Sequence, residues 1–173
     1  LHNKGGCEEI SAYLASNWFP AAPQGHISIY NKLKGYSKTV VGDMASGNIA
    51  IGNAYKTIKS GKADYMIAGG TENLIVSWGL IFYETSKVLS FYNEEDPEFS
   101  YMPFDRNRSG LILADGAGFV VLESLTSARK RNSPIYGEIC GHAITNDGLN
   151  YIKGNPDGKQ YARCIKLSMK QSL

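Results

Sequence analysis

Cysteine is scarce in this sequence, with Cys7, Cys140 and Cys164 as the whole complement. Three is an odd number, and the spacings are wide, so neither a disulfide framework nor a thiolate metal site is implied. Three free thiols in a reducing compartment fit that count, which points to a cytoplasmic protein with no metal. Long apolar runs are missing as well. No stretch reaches the roughly 18 residues of a membrane span. The most apolar segment, "NLIVSWGLIFY", is broken by Ser77 and Gly79 and reads as buried core. The opening "LHNKGGCEEI" lacks the charged-then-apolar layout of a secretion signal. Neither charge sign dominates, because 18 Lys and Arg face 16 Asp and Glu. The densest basic run, Arg129 to Arg131, is too small for a nucleic-acid face and reads as a solvated helix end.

What is present is ordinary for one globular domain: 173 residues, 43% of them hydrophobic and 20% charged. Leu1 at the start and a helical pattern running to Leu173 suggest part of a longer protein. "EEISAYLASNWF" has near-helical apolar spacing and is expected to end at Pro20 and Pro23. "HISIYNKL" gives mixed signals, with His26 expected beside a strand. Thr39 to Val41 is a β-branched run expected to form a strand, followed by a helix over Ala45 to Ser60. In that helix Ile51, Ala54, Tyr55 and Ile58 share one face, and Gly61 ends it. "ADYMIAGG" then reads as a strand, completing a segment the size of a βαβ unit. Residues 91–109 form a long polar and aromatic loop, a length that favours function over mere connection. Beyond it come a strand at Phe119 to Leu122, a helix capped by Ser124, a strand "IYGEICG" and a helix from about Lys159. Cys140 is expected in that strand and Cys164 in that helix, both buried. The alternation argues for an α/β fold.

The stretch "TVVGDMASGN" places Met44 at a strand-to-helix elbow. The helix dipole and free backbone N–H groups there favour a thiolate or an oxyanion. A thioether is neither.

The ordered succession "DMASGNIAIGNAYKTIKSGKADYMIAGGTEN", "KVLS" and "PFDRNRSGLILADGAGFVVLESLTSARKRNSPIYGEICG" resembles the β-ketoacyl-acyl carrier protein synthases, from about His26 to Gly158. The resemblance implies the thiolase-like fold, an αβαβα stack of two similar halves, present here only in part. It assigns residues 1–103 to the first half and 104–173 to the start of the second. The family motif T-A-C-[AST]-[ST]-G falls on Gly42, Asp43 and Met44, so methionine occupies the position of the cysteine that carries the acyl chain. Asp43 is either a base or a helix-dipole partner, and Ser46 either a substitute hydroxyl or a helix-start cap. Where relatives have a histidine after an "SSDAYH"-like turn, this chain has Asn150. His142 is read as structural.

Tyr83 falls where relatives line the acyl pocket, so it is either a pocket residue or plain core. Asp105, Arg106 and Arg108 resemble the [WF]-D-x-x-R-x-G turn that supports the floor of the site. By that likeness no catalytic residue is expected, no cofactor is held, and substrates arrive on the phosphopantetheine of an acyl carrier protein. The implied role is a chain length factor paired with an active ketosynthase through the strand before Met44. Two alternatives stay open: an active condensing or malonyl-decarboxylating enzyme, and an inactive fragment.

Overall fold

The computed structural model describes residues 11, 13, 19–91, 94–150 and 154–171. The helix expected over "EEISAYLASNWF" lies almost wholly outside them. The described elements are helices α1 (Ala22–Tyr30), α2 (Ser46–Lys59), α3 (Ser77–Thr85), α4 (Leu125–Lys130) and α5 (Lys159–Lys170), with strands β1 (Tyr65–Glu72) and β2 (Gly116–Glu123). β1 and β2 pair in a two-stranded sheet. The chain divides into two compact units, residues 1–69 with 119–173 and residues 70–118.

In the first unit, Pro23 opens a helix instead of closing one. Proline is tolerated in a first helical turn because that N–H has no intrahelical partner, so α1 begins at Ala22 and takes in His26. This corrects the expectation that His26 flanks a strand. The end of α2 follows the sequence closely. Gly61 adopts φ +70°, its N–H donates to the Ile58 carbonyl at 2.9 Å, and the Lys62 N–H donates to Thr57 at 3.1 Å. These two bonds satisfy carbonyls that the helix end would otherwise leave open. Ser124 caps α4 by accepting the Ser127 N–H at 3.3 Å. Among the described residues, the buried apolar side chains are all small: Ala54 on α2, Ala68 on β1 and Ala128 on α4. Side chains of that size let backbones approach closely.

Two expected strands do not form among the described residues: neither Thr39 to Val41 nor "IYGEICG" is paired. β-Branched composition gives only a preference, and a strand exists when a neighbour completes its ladder. Cys140 is accordingly exposed, whereas Cys164 lies on α5 and is half-buried.

A clamp joins β1, β2 and α4. Arg131, at the C-terminal end of α4, grips Glu123 with two nitrogens, Nε at 3.0 Å and Nη2 at 2.7 Å, and its guanidinium sits 6.0 Å from the centre of the Tyr65 ring. Tyr65 hydroxyl shares a 2.9 Å hydrogen bond with Ser127. The guanidinium holds the Glu123 carboxyl down at about 2, from an ordinary 4.5. The unfolded chain therefore binds this proton first, so the stabilisation is complete above about pH 4.5 and is lost as pH falls towards 2. Glu123→Gln should flatten the acid limb of the stability profile across that window, as read by urea midpoints at successive pH values.

In the second unit, "NLIVSWGLIFY" becomes the connection into α3 and α3 itself, and its apolar side chains are not buried as expected. Gly79 is buried, but Trp78, Ile81 and Phe82 are exposed. A helix apolar all round needs cover on every side, and the described residues cover only the Gly79 side. The long loop is tied at its base. Ser90 hydroxyl donates to the Ser100 carbonyl at 2.7 Å, the Phe91 N–H donates to Ser109 Oγ at 3.1 Å, and Leu89 bridges to Leu111 in parallel.

Candidate functional site

The Met44 turn is built from its own backbone. Gly42 leads into a single 3-10 turn, Asp43–Ala45, and α2 begins at Ser46. Asp43 adopts φ +51°, a left-handed conformation that Asp tolerates better than most residues. Ser46 Oγ accepts the Gly42 N–H at 2.9 Å and donates to the Asp43 carbonyl at 2.6 Å. That hydroxyl staples the turn, rather than capping an N–H deeper in the helix, and its proton already has an acceptor. Met44 projects from the apex, 80% exposed. Behind it stand 14 residues of helix with no side-chain cap among the described residues. The partial positive charge of such a terminus, about half an elementary charge, favours an anion. Methionine has no proton to lose and supplies none.

In the same unit, Asn150 lines a polar cavity of about 330 Å³ with Thr145, Asp147, Asn155 and Tyr161. Asp147 Oδ2 accepts the Asn155 N–H at 2.8 Å, which holds one wall together. An amide at position 150 can donate and accept hydrogen bonds, but it neither gives up nor takes a proton near neutral pH.

The second unit holds the other sequence candidates. Tyr83 is half-buried on α3, edge-on to Phe82 with ring centres 5.3 Å apart. It does not line the mainly apolar cavity of about 300 Å³ in that unit, whose walls include Ile75, Leu80, Leu89, Ser90 and Leu111. Asp105 Oδ1 accepts the Asn107 N–H at 2.7 Å, and Arg108 Nη1 donates to the Asp105 carbonyl at 2.9 Å, so these residues close one turn. Arg106 is exposed beside them. Sequence reasoning passed over Asp115, whose Oδ1 accepts both the Leu74 N–H at 2.8 Å and the Ile75 N–H at 3.0 Å. An acid beside the glycines of "DGAG" was the available signal.

The family model for the β-ketoacyl synthase N-terminal domain matches residues 1–128. The chain belongs to the β-ketoacyl synthase family. It is similar to 3-oxoacyl-acyl-carrier-protein synthase 2 of Rhizobium meliloti (strain 1021), 37% identical over 172 residues, covering 99% of this chain and 41% of that protein. The corresponding synthase 2 of Staphylococcus aureus is 34% identical over 164 residues, covering 95% and 40%. Among solved structures, a type II PKS acyl-carrier protein in complex with its ketosynthase bound to the hexaketide matches with TM-score 0.90 at 26% identity. The match covers 95% of this chain and 40% of that one. The ishigamide ketosynthase/chain length factor matches with TM-score 0.81 at 26% identity, covering 95% and 39%. This β-ketoacyl synthase chain thus spans about two-fifths of the length of the relatives it matches, and it has part of their thiolase-like α/β fold. Among the described residues, no helix is long and apolar enough to cross a membrane.

Proposed function

We propose that the chain is part of a ketosynthase-like subunit without a nucleophile, acting as the chain length factor of an active ketosynthase in polyketide, polyene or fatty-acid-type assembly. The observation that carries this reading is Met44 at the apex of the turn before α2. By the motif match it stands where family synthases hold the cysteine. Asn150, where many relatives have a histidine, is a second departure from the family pattern and supports the same reading. Tyr83 is proposed to shape the acyl pocket, and Asp105 with Arg108 to brace its floor. The partners are an active ketosynthase and an acyl carrier protein whose phosphopantetheine brings the substrate, in the cytoplasm, with no cofactor held by the subunit itself.

The relatives named 3-oxoacyl-acyl-carrier-protein synthases favour a second reading, an active condensing or malonyl-decarboxylating enzyme. One experiment separates the two. The full-length subunit is incubated with malonyl and acyl carrier protein, alone and with a ketosynthase whose cysteine is intact. The chain length factor reading expects acyl adducts on the ketosynthase only and a product length that changes when this subunit is exchanged. Carbon dioxide release by the subunit alone would establish the second reading instead.

A further inference from the structure

Residues 140–145 have no strand partner among the described residues, yet each fixed point along them is held by a helix. The Tyr55 hydroxyl on α2 donates to the Cys140 carbonyl at 3.4 Å. Gly141 lies so close to the Ser168 carbonyl on α5 that a Cβ there would overlap it. The His142 N–H donates to Gln171 Oε1, just past the end of α5, at 3.2 Å, while its imidazole lies on Gly52 of α2, where a Cβ would overlap the ring. The Cys164 thiol on α5 donates to the Ala143 carbonyl at 3.3 Å, and the Thr145 hydroxyl donates to Gln160 at 3.0 Å. Contacts with α2 and with α5 thus interleave along one short segment. All of it lies within one compact unit.

We infer that residues 140–145 are a strap tying α2 to α5, that His142 is the positioning residue keyed onto Gly52, and that a proton taken up by His142 releases the key and loosens α2. The ring is placed for this. Its Nε2 is buried with no hydrogen-bond partner among the described residues. A proton there needs an acceptor that the described residues do not offer, and burying an unpaired charge is costly. The facing charge from α2 is Lys56, which repels an imidazolium. From the α5 side the strap meets Gln171 and the Cys164 thiol, both uncharged. Burial first, and Lys56 second, hold the imidazole below its ordinary 6.5. The unfolded chain therefore takes up this proton before the folded one. The contact is intact above about pH 6.5 and weakens as pH falls below it, through the lowered folded value. Because α2 starts at the Met44 turn, the strap sets where that turn stands, whatever chemistry the subunit performs.

The test uses the full-length subunit. The imidazole Cε1–H resonances are followed by NMR from pH 8 to 4.5, with His142 assigned by its loss in His142→Gln. Hydrogen exchange of residues 46–59, corrected for the intrinsic pH effect, is read over the same range. The His142 midpoint should lie below 6.5, Lys56→Gln should raise it, and protection of α2 should fall through that midpoint in the native chain but not in His142→Gln. A midpoint at or above 6.5, or a loss of protection that is the same in His142→Gln, overturns the proposal. If His142→Gln does not fold, the native titration and Lys56→Gln decide, and a midpoint that Lys56→Gln leaves unmoved counts against it.

Discussion

Met44→Cys in the full-length subunit is expected to yield a chain that becomes acylated by acyl carrier protein, where the native chain takes no acyl group. The turn is closed by the Ser46 hydroxyl and the backbone of residues 42 and 43, so exchanging its apex leaves the geometry intact. The new thiol stands at the N-terminus of a 14-residue helix. Helix N-termini lower a cysteine pKa from about 8.5, and the first unit of lowering raises the thiolate fraction at neutral pH about eightfold. Two measurements check this. The pH midpoint of alkylation by iodoacetamide should lie below about 8.5, and intact mass should show an adduct on the variant only. A thiol that alkylates as an ordinary exposed cysteine and never carries an acyl group would show that this turn is not a nucleophile's seat.

Gly52→Ala should destabilise the subunit, reversing the usual sign for a glycine inside a helix. Alanine is intrinsically better there by about 0.8–1.0 kcal/mol. Against that gain stands the Cβ overlap with the His142 ring, and overpacking of this kind costs roughly 1–3 kcal/mol. A ring pinned by the strap on both sides yields less readily than the free end of a long side chain. A net loss of up to about 2 kcal/mol is therefore expected from the urea midpoint. Adding His142→Ala should recover most of it, a coupling that a double-mutant cycle measures. A Gly52→Ala chain more stable than the native one would place the ring elsewhere.

Local signals were legible in the sequence wherever a single residue dictates its own backbone. The left-handed Gly61, the Ser124 cap, the 3.6-residue period of α2 and the apolar run of β1 all depend on near neighbours. What the sequence did not reveal depends on distant partners. Thr39 to Val41 has the composition of a strand but no pairing neighbour among the described residues. The segment from Ile135 to Cys140 gives its backbone groups no ladder, and the strap that follows spends them on side chains and helix ends. α3 reads as core because its residues are apolar, yet Ile81 and Phe82 are exposed. Gly52 was a signal in plain view, since a mid-helix glycine commonly marks a close approach. Of the site, the turn at Met44 leading into a helix was readable from local pattern. The cavity around Asn150 and the anchoring by Asp115 were not, because they depend on how loops close.

The Ser46 staple has an evolutionary corollary. Because the apex residue contributes nothing to holding its own loop, selection can act on position 44 without a folding penalty. The chemistry of the vertex and the integrity of the scaffold around it can therefore change independently of one another.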